Sequence, residues 1–559
     1  MFSDFIFLIT NIVLLIPNFA DSVYFRFTMK RMTVDIFKYI STGNDTVDMM
    51  PQFILDYWYV FLLWSSAIFL IIVIMGRIKI SKRYVMQSPI SYYFSQSVVM
   101  FFLMALTLLG IRGGIQLKPV GLLSASQYAP SQETPIVLNS AFTLMRSSGQ
   151  KGLPRINYYH DQEEMRKIFD AQKLYLTTDS LGNKLPMLKK NVFIIILESF
   201  STEHIGALSG LKGNPKSDFT PFLDSLIEKS FVAEGFANGK RSMEGIPAIL
   251  ASLPTWMDAE FITSQYSANN FNSLASLLKN EGYSTSFFHG GKNGTMGFDA
   301  FSHSAGFDNY FGKDEYPDQS DFDGFWGISD EPYLQYIAQK LNSMNQPFMC
   351  AVFTLSSHHP YKVPAKYKNR FRKGPLEIQE TIMYSDFALK EFFAKVSTMP
   401  WFQDALFVIT ADHTSEARQP FYQNRVGQYC IPIVFYQPGS SLTGRKKIIA
   451  QQTDIMPTIL DMLHYQKPFL AFGGSLLREK EPRFDLSYLN GNYQLIYDGY
   501  AYQSDIYSVE ELYNFVNDSL LTKNVAKLEK KNLTESDRLL RAIIQQYNNR
   551  MLDNKLTIQ

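Results

Sequence analysis

The sequence predicts an α/β protein in which N-terminal transmembrane helices precede a domain with a mostly parallel central sheet covered by helices, closed by a small C-terminal α+β subdomain. Three observations predict it. Apolar residues concentrate before residue 112, in segments of nearly spanning length. From Asn191 onward, apolar runs of strand length alternate with helical stretches. Continuous apolar strands separated by helices indicate a parallel sheet buried on both faces. Acids and histidines then recur directly after these runs, at the carboxyl ends where such sheets bind ligands.

A chain of 559 residues divides into roughly three to four units by length alone. We place a transmembrane region at 1–112, a connector with a helix at 113–185, the main α/β domain at 186–480, and a hairpin with a closing helix at 481–559. The 53 basic and 52 acidic residues leave no basic surplus, which excludes nucleic acid as the expected partner. Cys350 and Cys430 both sit in apolar, strand-like runs and read as buried thiols, with a single disulfide as the alternative. No C-x-x-C pair points to zinc or redox chemistry.

Three helices are expected in the membrane, at about 4–20, 57–76 and 93–111. The first lacks the basic flank and the cleavage site of a secretory signal. The chain opens abruptly inside this hydrophobic segment, as an incomplete start would. The segment Tyr24 to Ile40 reads as a helix along the interface, with aromatic and apolar residues among basic ones. The short connection from Arg77 to Tyr92 carries Arg77, Lys79, Lys82 and Arg83 and no acid. By the positive-inside rule it lies in the cytoplasm, and everything after Arg112 lies outside. The first loop is outside too, and its Arg26, Lys30, Arg31 and Lys38 are balanced by Asp21, Asp35, Asp45 and Asp48.

In the connector, Pro119, Pro130, Pro135 and Pro154 break the chain, and His160 to Leu174 predicts a helix. Strands are expected at Val192–Leu197, Ser284–Phe288, Phe348–Leu355, Ala405–Thr410 and Ile431–Tyr436. Helices are expected at Pro221–Lys229, Phe271–Asn280, Pro332–Met344, Ile378–Lys395 and Asp454–Leu463. Hairpin-like strands follow at Tyr493–Tyr500, and a charged helix spans Glu535–Met551.

The strand ends carry the chemistry. Glu198 follows the first run, His289 ends the second, His358 and His359 follow the third, and Asp412 and His413 follow the fourth. Singly, each reads as a helix cap or a solvated turn. Together they offer the mixture of carboxylate and imidazole that a hard or borderline divalent cation takes. Ser242 stands where a polar, Gly-containing turn runs into an apolar helix, Ile246 to Leu250. There the helix dipole favours an anion, and a metal on the hydroxyl would make it nucleophilic. The competing reading is a simple N-cap.

The motif Asn191-Val-Phe-Ile-Ile-Ile-Leu-Glu-Ser-Phe200 resembles the opening motif of the lipoteichoic acid synthase family, membrane phosphoglycerol transferases with an alkaline phosphatase/sulfatase-like domain. The resemblance continues through Gly239-Lys-Arg-Ser-Met-Glu244, Phe288-His-Gly290, Gly306-Phe-Asp-Asn-Tyr-Phe311, Trp326-Gly327, Ser357-His-His-Pro-Tyr361, Ala411-Asp-His413 and Thr453-Asp-Ile-Met-Pro-Thr-Ile-Leu460. It covers about residues 190–475 in the family's order. The resemblance implies a metal site of Glu198, Asp412, His413 and the nucleophile. The family nucleophile is a Thr; Ser242 aligns with it, because an acid, Glu244, then falls two residues on, as in the family. His289 and His358 correspond to head-group histidines, and Arg241 is expected at a phosphate oxygen or at the rim. The family's glycerol-phosphate Trp and Arg fall near Met296 and Phe298, and neither is present.

These expectations describe a multi-pass protein of a bacterial cell membrane with its active site on the extracytoplasmic face. It would hold one divalent ion, manganese or magnesium ahead of zinc. It would move a phosphatidylglycerol-like head group, through a phospho-Ser intermediate, to a glycan or polymer. The alternatives are a phosphodiesterase or phosphatase, a phosphoethanolamine transferase, a sulfatase, and a non-catalytic scaffold. Against a sulfatase, Ser242 lacks the C/S-x-P-x-R setting. Against a phosphoethanolamine transferase, two cysteines cannot supply its several disulfides.

Overall fold

In this computed structural model the described residues are 2–28, 31–32, 36, 51–52, 54–77, 89–112, 134–147 and 152–558, the last stretch without 180, 211–212, 214–217, 265, 268 and 508–509. They form two units, each described by itself.

The first unit is helical. Helix α1 spans Phe2–Thr28, α2 Trp58–Arg77 and α3 Pro89–Arg112. Each is long and apolar enough to cross a membrane, and their apolar windows are almost entirely unburied, as lipid-facing surfaces are. α1 packs along α2. Near the end of α1 the fully buried Asp21 accepts from the Ser140 hydroxyl and pairs with Arg31 at 3.1 Å. A charge at such a position is tolerated because it is paired. The start of the expected interfacial helix, Tyr24 to Thr28, is the last part of α1. Most of its remainder, and residues 78–88 of the basic connection, lie outside the described residues.

The second unit contains an eight-stranded sheet. Its strands are β1 Asn191–Leu197, β2 Phe231–Phe236, β3 Ser284–His289, β4 Asn309–Phe311, β5 Phe348–Phe353, β6 Ala405–Ala411, β7 Cys430–Tyr436 and β8 Gly444–Gln451. Their spatial order is β4-β3-β5-β1-β6-β7-β2-β8. All neighbours pair parallel except those of β7, which runs antiparallel to both β6 and β2. The five apolar runs read from the sequence are all strands. The three further strands escaped because β2 and β8 carry Glu234, Arg445, Lys446 and Lys447, and β4 is only three residues long.

Alternation along β1 shows how the sheet is covered. Val192, Ile194 and Ile196 face one core, with Ile246 and Ile249 of helix α5 (Ser242–Ala251) and Ile455 and Ile459 of a later helix, Ile455–Met462. Phe193, Ile195 and Leu197 face the other, with helices α6 (Asp330–Asn342) and α7 (Ile378–Val396). Every residue of β1 is buried, so no polar alternation survives in the sequence.

The helix expected at His160 to Leu174 is shorter, α4 at Gln162–Ile168, and Gln172–Lys173 instead pair with Phe469–Leu470. The expected C-terminal hairpin is part of a four-stranded antiparallel sheet over Phe484–Asn514. Helix α8, Lys530–Leu552, joins the core through Leu540, Ile543 and Tyr547. Its Gln545 accepts from the backbone N–H of Tyr158 and Tyr159, which ties the connector to the end of the chain. Cys350 and Cys430 are separate buried thiols.

Candidate metal and nucleophile site

At the carboxyl end of β1, Glu198 is buried, and its backbone N–H donates to Thr354 Oγ1 at 3.0 Å. Ser357 Oγ donates to the Glu198 carbonyl at 2.6 Å. The turn after β5 thus clamps the turn after β1. From the adjacent β6, Asp412 Oδ1 accepts the backbone N–H of Ser199 and of His413, both at 2.8 Å. His413 donates Nδ1–H to the Thr414 carbonyl at 2.9 Å, which turns its Nε2 inward. Nε2 lies 3.2 Å from Asp412 Oδ2 and 3.9 Å from Glu198 Oε1.

Ser242 is the first residue of α5, and Arg241 occupies the N-cap position without a side-chain cap bond. The hydroxyl of Ser242 is 3.5 Å from His413 Nε2. Ser242 is buried, in contrast to the exposed turn that the sequence suggests. The N-cap reading of Ser242 gives way, since Arg241 holds that position. Gly245 allows this approach. A Cβ there would stand 2.3 Å from the Asp412 carbonyl oxygen. The first turn of α5 can therefore lie directly on the backbone of Asp412 only because residue 245 has no side chain.

Glu198, Asp412 and His413 each offer a ligand atom within 4.8 Å of the others. Their state without a cation is unfavourable, which is the test of fit. Burial, and then the nearby Asp412 charge, push the Glu198 carboxyl well above the usual carboxylate range. Asp412 Oδ2 is buried and accepts no hydrogen bond among the described residues. His413 turns Nε2, a metal-ligating atom, to the same carboxylate oxygens. A divalent cation resolves all three at once, so the residues fit a metal.

A cleft opens beside Glu198 and Ser242. His289, His358, Met296, Phe298, Trp326 and Leu355 contribute to its wall. His289 sets Nδ1 on the Phe353 carbonyl at 3.1 Å, and His358 sets Nδ1 on the His359 carbonyl at 2.9 Å. Burial pushes both imidazoles down to about 4, so both are neutral near pH 7 with Nε2 as the accepting nitrogen. No Lys or Arg is among the described residues that line the cleft. Arg241, expected at a phosphate oxygen or at the rim, instead pairs its guanidinium with Glu260 and, at 3.6 Å, with Glu244. His359 is buried and lies outside the cleft lining.

Three features were not read from the sequence as parts of the site. Trp326 packs against His358 with ring centroids 4.2 Å apart and planes tilted by 58°, and donates Nε1–H to the His359 carbonyl at 2.6 Å. Its only sequence signal is the Trp326-Gly327 motif. Lys240 buries its ammonium on Thr414 Oγ1 (2.6 Å) and the Gln428 carbonyl (2.9 Å), behind His413. Burial pushes it down to about 7. Asp330 reaches the turn that carries His358; a lone acid at a helix start gives no such signal.

Residues 190–465 match the family model described as Sulfatase. The lipoteichoic acid synthase-like YvgJ of Bacillus subtilis is 26% identical over 313 residues, 52% of this chain and 50% of that protein. The lipoteichoic acid synthase of Staphylococcus saprophyticus is 23% identical over 502 residues, 85% of this chain and 75% of that one. The chain thus spans only about half the length of the first of these relatives. A protein in the alkaline phosphatase superfamily from Vibrio parahaemolyticus, known by crystal structure, superposes with a TM-score of 0.61 at 22% identity, over 72% of this chain and 98% of that one. That likeness establishes the fold.

Proposed function

We propose that this chain, a member of the sulfatase family over residues 190–465 and a homologue of lipoteichoic acid synthases, is a membrane-anchored, metal-dependent phosphotransferase that acts outside the cytoplasm. Its donor is a phospholipid of the phosphatidylglycerol type, and its acceptor is a hydroxyl on an envelope glycan or polymer. The observation that carries the reading is the meeting of Ser242 Oγ with Glu198, Asp412 and His413 at one sheet edge.

Glu198, Asp412, His413 and the Ser242 oxygen would hold the ion, manganese or magnesium ahead of zinc. Bound there, the ion supplies Lewis-acid stabilisation of charge on the phosphoryl oxygens and favours the deprotonated hydroxyl. The rest is the work of the chain. Ser242 Oγ forms the new P–O bond as the bond to diacylglycerol breaks, and the start of α5 favours the anion gathered there. The phosphoglycerol group is then carried on Ser242. His358 or His289, neutral with Nε2 available, takes the proton of the incoming acceptor hydroxyl, whose oxygen displaces Ser242 from phosphorus. A cleft lined by no Lys or Arg suits a singly charged phosphodiester better than a doubly charged monoester. Arg241 enters as a residue that braces the nucleophile turn through Glu244 and Glu260.

The test is direct. With labelled phosphatidylglycerol, wild-type protein should carry phosphoglycerol on the peptide that contains Ser242. Ser242→Ala should abolish both labelling and turnover with unchanged thermal stability, and Ser242→Thr should keep part of the activity. Phosphate on another residue, such as Ser199 or Thr414, would refute the assignment. Release of free glycerol phosphate in the presence of acceptor glycans would make the protein a hydrolase.

A further inference from the structure

The turn after β5 carries His358 and touches Glu198, and something must hold its shape. Among the described residues that task falls to Asp330, the first residue of α6. It is 3% exposed and lies outside the metal cluster and the cleft lining. Its Oδ1 accepts the backbone N–H of Leu355 at 3.0 Å and of Ser356 at 3.1 Å. Its own N–H donates back to Ser356 Oγ at 2.9 Å. Its Oδ2 accepts from Ser385 Oγ of α7 at 2.6 Å. Four hydrogen bonds thus fasten two successive backbone amides to two helices under the sheet. Two residues later comes His358, whose N–H bonds back to the Leu355 carbonyl at 3.0 Å.

This arrangement is costlier than a scaffold needs. Burial raises the Asp330 carboxyl above the usual range, against the pull of its hydrogen bonds. The buried Leu355 and Ser356 N–H groups need an acceptor, and a carboxylate is a costly one where a neutral oxygen would serve. Its distinctive contribution is geometric, since one carboxylate fixes the direction of two adjacent N–H groups. That in turn fixes where the next residues project.

We propose that Asp330 is a positioning residue that acts through His358: by fixing the Leu355 and Ser356 amides, it sets the Nε2 of His358 relative to Ser242. The inference rests on the proposed role of His358 in the transfer reaction. It assigns Asp330 neither contact with substrate nor a share in the metal.

The experiment is a double-mutant cycle in the full-length protein, read by turnover of phosphatidylglycerol and of a chromogenic phosphodiester. Displacement of a reacting group by about 1 Å can cost on the order of a hundredfold. Asp330→Ala should therefore lower kcat by about tenfold to a hundredfold with metal content and KM nearly unchanged. Asp330→Asn, which keeps an oxygen for both amides and an N–H for Ser385, should restore most of the loss. In a His358→Ala background, Asp330→Ala should cost less than about twofold, because coupled residues fail to add. Should Asp330→Ala not fold, Ser356→Ala with Ser385→Ala loosens the carboxylate from both sides and enters the same cycle. Additive penalties, or loss of metal in step with loss of rate, would overturn the proposal. Failure of the transfer reading looks different: Ser242→Ala would then stay active, whatever the cycle gives.

Discussion

Gly245→Ala tests whether the nucleophile is placed by contact between α5 and the backbone of Asp412. A Cβ at 245 would lie 2.3 Å from the Asp412 carbonyl oxygen, 2.9 Å from its carbon and 3.0 Å from its Cα. Ordinary contact begins near 3.4 Å, so the two chains must part by about 1 Å. Asp412 cannot be the one to retreat. Its carbonyl accepts from Gln452 Nε2 at 2.7 Å, and its carboxylate holds the N–H of Ser199 and His413. Helix α5 must move instead and take Ser242 with it. The stability cost of such overpacking is about 1–3 kcal/mol. The rate cost of displacing the attacking oxygen by that distance is on the order of a hundredfold. Ile249→Val, in the same helix and the core beneath, should lose about 1 kcal/mol without moving Ser242. Turnover and thermal melts of both variants decide the matter. A Gly245→Ala protein with the turnover of Ile249→Val would refute the reasoning.

Other consequences follow from the same residues. Glu198→Ala with Asp412→Ala should reduce bound divalent metal from one per chain to background by elemental analysis, and a chelator should abolish wild-type turnover until manganese or magnesium is returned. His204 is fully buried, has no hydrogen-bond partner on either nitrogen among the described residues, and is pushed by burial alone from 6.5 down to about 4. The unfolded chain binds that proton below about pH 6.5 and the folded chain only below about 4, so its contribution is constant above 6.5 and stability falls between the two. The fall from this one group is on the order of 3 kcal/mol; His289 and His358, pushed down to the same value, add to it, so His204→Leu should make the melting temperature fall less steeply across that window without abolishing the fall. A reporter fused after residue 85 should read as cytoplasmic and one after residue 150 as external; reversed signals would sink the assigned topology.

The central sheet was legible where burial on both faces left uninterrupted apolar runs. Val192–Leu197 and Ala405–Thr410 are such runs, and each came within one residue of its observed bounds. The direction of β7 was not legible, because an apolar strand buried on both faces reads the same parallel or antiparallel. The strand β8 was hidden by Arg445, Lys446 and Lys447, which an edge strand tolerates. In the site, Glu198, Asp412 and His413 were legible because each follows a strand, and the topology then brings β1 and β6 side by side. The partners of Arg241 were not. Glu260 lies in an irregular segment whose path depends on tertiary packing, so its ion pair with Arg241 left no signal in the sequence.

In the proposed mechanism, transfer and hydrolysis would share every residue up to a phospho-Ser242 intermediate, so what would separate them is the oxygen that reaches phosphorus next. Water needs no binding site and is present at high concentration. An acceptor hydroxyl competes only where its approach is guided and water is poorly accommodated. The cleft beside Ser242 has this character. Met296, Phe298, Phe353 and Leu355 offer an ordered water no hydrogen-bonding side chain, Thr295 offers a single hydroxyl, and Trp326 packs on the ring of His358. The accepting nitrogens, Nε2 of His289 and His358, stand in that apolar wall. A hydroxyl carried on a larger molecule gains apolar contact as it reaches them, whereas a lone water gains none. In the proposed reaction, apolar Met296 and Phe298 would therefore favour a carbon-bearing acceptor over water, in a wall where no Lys or Arg stands among the described residues.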